Sequence, residues 1–173
     1  MKHVFILLSL GIAYPTIAQD EALLAGMTAM RKADHTTAAM AFDKAVAEAP
    51  KSGKTWYYRA VNRMAMGDNE GALRDLDHLL VLEPLDVHAM LRRAEIHTVR
   101  GEVDQATADL YRVLGTQVNG PATEQALSEL GRLAIIAHDL PTALGHYDRL
   151  VEIAPYNPMA WCDRGTARSI AHD

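Results

Sequence analysis

Residues 56–84 read WYYRAVNRMAMGDNEGALRDLDHLLVLEP, and their register decides the fold. Trp56-x-x-x-Ala60 is followed by Ala72-x-x-x-Leu76-x-x-Leu79 and then by Pro84. Gly26, Ala38-x-x-x-Phe42-x-x-Ala45 and Pro50 hold the corresponding places 34 residues earlier. The columns continue on both sides of this stretch. Ala38, Ala72, Ala106 and Ala143 form one column. Gly26, Ala60, Ala94, Gly131 and Gly165 form another, with steps of 34, 34, 37 and 34. Phe42, Leu76, Leu110 and Tyr147 keep the same register, as do Ala45, Leu79, Val113 and Leu150, and the bulky set Trp56, Met90, Leu127 and Trp161. Pro50, Pro84 and Pro155 close three units, with Val118 in the remaining slot. Self-similarity at a fixed period of this size marks stacked supersecondary units. One extra triplet, at Pro121-Ala122-Thr123, absorbs the break in register, and the proline and glycine beside it predict a longer loop there.

The columns have a direct physical reading. Gly and Ala recur where two helix backbones approach closely, because a larger side chain would overpack the crossing. Bulky residues fill the space on either side. Proline ends the second helix of each unit, since it lacks an amide donor and turns the preceding residue away from helix. Met66-Gly67-Asp68-Asn69-Glu70 supplies a glycine turn and polar residues able to cap the next helix, and Arg100-Gly101-Glu102 repeats the glycine. One such unit cannot bury its own apolar face, so the units must stack.

These columns closely resemble the tetratricopeptide repeat family, over residues from about Asp20 to Asp173. The resemblance implies an all-α fold, a tetratricopeptide-repeat α-solenoid occupying 19–173. It would comprise four helix-turn-helix repeats (19–52, 53–86, 87–123 and 124–157) and a C-terminal capping helix at 158–171. Ala22 stands where an aromatic residue is usual in the family, and the third repeat lacks its closing proline. In such arrays the first helices line a concave groove that binds a protein or peptide. The implied groove residues are Met27 and Met30, then Lys54, Tyr57, Val61 and Met64, then His88, Leu91, Glu95 and Thr98, then Gln125, Ser128, Arg132 and Ile135. The early part of this wall is apolar and rich in methionine, which suits adaptable surfaces and a helical or apolar peptide. The same methionines also fit a packing role, or cover by residues 19–22. A family subtype grips a C-terminal carboxylate with lysines and asparagines. Only Lys54 fits that pattern here, so the subtype is set aside.

Two repeats carry an arginine before the small residue of the first helix and an aspartate before the bulky residue of the second. This predicts cross-helix ion pairs Arg59–Asp75 and Arg93–Asp109. The other full repeats have neither charge: Ala25 with Ala41, and Leu130 with His146. Arg164 occupies the arginine column of the capping helix without a matching aspartate, and is expected to be less constrained.

The first eighteen residues differ from the rest. Lys2 precedes the apolar run Val4 to Ala13, and Thr16-Ile17-Ala18 ends on small residues, the layout of a secretory signal peptide at 1–18 with cleavage after Ala18. The alternatives are a retained anchor and a first helix of the fold. The apolar run is shorter than the roughly 20 residues a bilayer span needs. No Asn-x-Ser/Thr acceptor occurs, and a bacterial periplasm is the expected location. Without residues 1–18 the chain keeps 16 basic and 22 acidic residues, a formal charge of −6. That balance speaks against a nucleic-acid partner and against an anionic membrane surface; membrane contact is expected only in transit.

Cys162 is the single cysteine, so no internal disulfide forms; pairing with a partner and packing as a small apolar residue both remain open. The eight histidines form no His-Glu-x-x-His pattern, and there is no Cys-x-x-Cys, nucleophile elbow or phosphate loop. No metal, cofactor or catalytic residue is therefore expected, and the chain reads as a non-enzymatic interaction scaffold. A periplasmic chaperone or assembly factor holding an apolar or unfolded client, such as a cytochrome precursor or an outer-membrane protein, is the second reading. Self-association through the C-terminal helix is a third.

Overall fold

The computed structural model describes residues 16–116 and 120–172. Among them the chain forms nine α-helices and no strand. In chain order these are α1 (Thr16–Arg31), α2 (His35–Glu48), α3 (Gly53–Ala65), α4 (Asn69–Leu82), α5 (Val87–Val99), α6 (Val103–Gly115), α7 (Pro121–Ile136), α8 (Leu140–Ile153) and α9 (Pro158–His172). Consecutive helices pack on one another, so the odd-numbered helices form one layer and the even-numbered helices the other. The signal peptide expected at 1–18 lies outside the described residues, except for Thr16–Ala18 at the start of α1. Val118, the residue in the proline slot, also lies outside them.

Local chemistry explains where the helices start and stop. Each turn within a pair passes through one left-handed residue: Ala33 (φ 57°), Gly67 (φ 80°), Gly101 (φ 73°) and His138 (φ 58°). Glycine takes this conformation freely, whereas Ala33 and His138 hold it at a steric cost. The next residue caps the following helix. Asp34, Asp68 and Asp139 accept the backbone N–H of Thr37, Gly71 and Thr142 at 3.0, 2.8 and 3.2 Å. Glu102 occupies the same place without making a cap bond; its carboxylate instead meets His97 and Arg100 at 2.6 and 2.8 Å. Between pairs, Ala49, Glu83 and Ala154 end their helices with φ near −131° and ψ of 60–80°. Each precedes a proline, which excludes the α conformation there.

The triplet Pro121-Ala122-Thr123 is not the longer loop expected from the sequence. It forms an added first turn of α7, which has 16 residues where α3 and α5 have 13. Pro121 sits at the first helical position, where its missing amide is one the helix leaves unpaired anyway.

The core follows the columns. Ala38, Phe42, Ala45, Ala72, Leu76, Leu79, Ala106, Leu110, Val113, Ala143, Tyr147 and Leu150 are all buried. A Cβ added at Gly26 or Gly131 would stand 2.5 Å from the ring of Phe42 or Tyr147. Where the small column is alanine instead, at Ala60 and Ala94, the paired residue is leucine, Leu76 or Leu110. Ring thickness at the crossing is thus matched by the loss of one methyl group opposite.

Candidate functional site

The residues expected to form the groove lie on the odd-numbered helices, beside a row of cavities whose two halves differ in chemistry. In the first half, α1 and α3 enclose a cavity of about 320 Å³ lined by Leu24, Met27, Met30, Arg31 and Tyr58. A second cavity of about 440 Å³ adjoins it, lined by Leu23, Met27, Tyr57 and Tyr58 together with the polar Lys54, Glu83, Asp86 and His88. Met27, Met30 and Tyr58 are partly buried against Phe42, and Tyr57 and Met64 against the central core. The methionines therefore both pack and line. Tyr57 meets Tyr58 and His88 edge-on, with centroids 5.5 and 6.3 Å apart.

The second half is charged. Val61, Met64, Arg92 and Glu95 line one cavity of about 470 Å³ between α3 and α5. Leu91, Arg92, Glu95, Thr98, Gln125, Glu129 and Arg132 line another of about 200 Å³ between α5 and α7. Leu91 is only 6% exposed and forms floor rather than wall. The charges pair locally: Arg92 with Glu95 at 2.8 Å, and Arg132 with Glu129 at 2.6 Å. Hydrogen bonding with Tyr57, more than with Glu95, holds the Arg92 guanidinium above its ordinary pKa against the effect of burial. Ser128 donates to Asp163 at 3.0 Å, and Ile135 packs into the C-terminal core beside Leu127 and Ala143.

One column of the groove escaped the sequence reading. Leu24, Tyr58, Arg92, Glu129 and Asp163 recur in register one residue after the Tyr57 column, and the first four line the cavities above. The signal was the helical stripe Lys54, Tyr58, Val61, Ala65, whose spacing of four, three and four puts these residues on one face.

Behind the groove the helices are joined by arginine brackets. Arg59 Nε and Nη2 donate to the two carboxylate oxygens of Asp75 at 2.9 and 2.7 Å. Arg93 Nε and Nη2 reach Asp109 in the same way at 2.7 and 2.6 Å. Each arginine also reaches back one helix, which the sequence reading did not foresee. Arg59 Nη1 meets Asp43 at 3.0 Å, and Arg93 Nη1 meets Asp77 at 2.6 Å. One guanidinium thus ties three helices across a repeat boundary. Asp75 and Asp109 are 2 and 3% exposed, and hydrogen bonding to Asp109 raises the Arg93 pKa despite burial. Asp75 also receives Arg63 Nη1 at 2.7 Å. Trp56 lies beneath the first bracket, its ring 4.8 Å from the Arg59 guanidinium and its Nε1 donating to Pro50 O at 2.8 Å.

At the next boundary the whole set changes. Leu130 takes the arginine place, with Tyr111 and His146 in the two aspartate columns. The Tyr111 hydroxyl and His146 Nε2 lie 3.3 Å apart. Burial, then Arg149, lowers the His146 pKa, which favours the neutral ring. At α9, Arg164 makes the backward contact to Asp148 at 3.4 Å and stacks 4.4 Å over Trp161.

Comparison with known proteins agrees with this architecture. A family model described as tetratricopeptide repeat matches residues 59–121. Human sperm-associated antigen 1 is 28% identical over 107 residues, which are 62% of this chain and 11% of that protein; the chain thus spans about a tenth of its relative's length. Among solved structures, PilF of Pseudomonas aeruginosa superimposes with a TM-score of 0.79 at 12% identity, covering 90% of this chain and 69% of that one. The first tetratricopeptide domain of Spaghetti (RPAP3), bound to the HSP90 peptide SRMEEVD, does so with a TM-score of 0.64 at 18% identity, covering 69 and 93%. The match marks residues 59–121 as tetratricopeptide repeats, and the described residues have the all-α fold of a tetratricopeptide-repeat solenoid. That fold is consistent with a protein-interaction scaffold.

Proposed function

We propose that this chain is a non-catalytic scaffold that holds an apolar segment of another protein in the first half of its groove. The observation that carries the proposal is the contrast within that groove. Leu24, Met27, Met30, Tyr57 and Tyr58 offer an open apolar wall, which Val61 and Met64 continue to the junction with the charged half. The charges beyond it already pair with each other. A ligand laid along the groove gains most by burying apolar side chains against α1 and α3, with Arg92 and Glu95 setting its polar end. The likeness to a domain that holds a short peptide supports the groove as the binding surface. The apolar wall also suits an unfolded client, which keeps a chaperone or assembly role as the second reading.

We place the protein outside the cytoplasm, in a bacterial periplasm. Two observations support this location. Residues 1–18 have the layout of a signal peptide. Cleavage after Ala18 would also start the mature chain at Gln19, which lies 34 residues before Gly53, the first residue of α3. α1 would then have the 13 residues of α3 and α5.

Affinity capture from a periplasmic extract tests the scaffold reading. The wild-type chain is expected to retain partners that a Tyr57→Ala/Met64→Ala variant loses; recovery of the same partners by that variant would remove the groove from the binding role. Amino-terminal sequencing of the fractionated protein tests the location, with Gln19 expected and a retained Met1 counting against export.

A further inference from the structure

Helix α9 repeats the surface that α3 uses to hold α4, and nothing among the described residues covers it. Trp56, Arg59, Ala60 and Arg63 on α3 correspond in register to Trp161, Arg164, Gly165 and Arg168 on α9. Neither α5, with His97 in the last place, nor α7, with Leu130 and Ala134, carries this set. On α3 the set is occupied. Arg59 and Arg63 converge on Asp75 of α4, each at 2.7 Å; Leu76 is buried in the same core as Ala60; His78 lies 4.0 Å from the Trp56 ring. On α9 the set is open. Gly165 is exposed, and a Cβ there would meet nothing within 4 Å. Trp161 is 47% exposed, and Arg164 and Arg168 share only the exposed Asp148, at 3.4 and 3.5 Å.

We propose that the outer face of α9 receives an amphipathic helix from another protein, one bearing an acidic residue followed directly by an aromatic residue. This surface is separate from the groove. The acid follows from the two arginines, whose counterparts on α3 converge on one carboxylate. The aromatic residue follows from Gly165. Within this chain glycine at the crossing faces a ring, Phe42 or Tyr147, while alanine pairs with leucine. A second copy of the chain does not supply such a helix. No Asp or Glu in the sequence directly precedes an aromatic residue. Of its acid–leucine pairs, Asp75-Leu76 and Asp109-Leu110 are at most 3% exposed, Leu130 beside Glu129 is 3% exposed, and Asp139 beside Leu140 is held as the N-cap of α8 rather than standing within a helix. Two α9 faces brought together would also oppose like charges.

The probe is a fluorescent 14-residue peptide, stapled on its outer face to hold it helical. It carries Ala-x-x-Asp-Phe-x-x-Leu, the α4 spacing with phenylalanine for leucine. Saturable anisotropy on titration with the full chain is expected. Gly165→Leu, whose side chain fills the crossing, should weaken binding about tenfold or more. An Asp→Asn peptide should bind about tenfold less tightly, and Arg168→Gln should weaken the parent peptide similarly. The Tyr57→Ala/Met64→Ala groove variant should bind as wild type does, which separates failure here from failure of the groove. Unchanged circular-dichroism melting of the Gly165→Leu chain shows that it folds. The proposal falls if no binding is seen at millimolar peptide. It also falls if Gly165→Leu or the Asn peptide makes no difference, if the groove variant loses the peptide, or if sedimentation shows a dimer that Gly165→Leu abolishes.

Discussion

The boundaries at Arg59 and Arg93 and the boundary at Leu130 solve one geometric problem with two chemistries. At the first two, a guanidinium sits between carboxylates of flanking helices, and a near-buried aspartate takes both forward bonds. At the third, a buried leucine replaces the cation, and Tyr111 and His146 meet each other instead. No aspartate is left behind in either partner column there. A buried carboxylate without its cation is costly, so the members of such a set must change together.

Loss of a shared carboxylate is expected to cost the most. Asp75→Asn leaves Arg59 and Arg63 without their shared carboxylate and should destabilise the fold by about 3 kcal/mol. His146→Asn, at the neutral boundary, should cost about 1 kcal/mol or less. Urea denaturation of the two variants measures the difference; equal losses would mean that the brackets contribute no more than an ordinary hydrogen bond. The glycine crossings give a smaller contrast. Gly131→Ala drives a methyl group into the Tyr147 ring and should cost about 1–3 kcal/mol. The same change at Gly165, where the space is open, should leave the melting temperature almost unchanged. The turns give changes of either sign. Ala33→Gly and His138→Gly relieve left-handed backbone and should each stabilise by about 1 kcal/mol in thermal melts. Gly67→Ala should do the opposite.

How much of this could be read from the sequence depended on whether one residue type recurred. The Gly/Ala crossings and the Leu and Phe columns were legible because a close approach admits few side chains. The forward pairs Arg59–Asp75 and Arg93–Asp109 were legible because both charges recur together. The backward contacts were not, although Asp43, Asp77 and Asp148 keep the period, because their column also holds Tyr111 and sits on an exposed face. The turns at Ala33 and His138 were hidden for a related reason. Position in the repeat imposes the left-handed conformation, but neither residue advertises it as Gly67 and Gly101 do. The triplet at Pro121 was misplaced because proline signals a loop and a first helical turn equally well. In the groove, Tyr58 and Arg92 were passed over because the family resemblance pointed to the neighbouring column.

The backward arm of each bracket also has a mechanical consequence. Because Arg59 and Arg93 each fasten one repeat to the next, tension applied to the two termini would load these clamps in series with the apolar layers. The neutral seam at Leu130 lacks a clamp and would yield first, each freed 34-residue unit adding roughly 110 Å of slack chain.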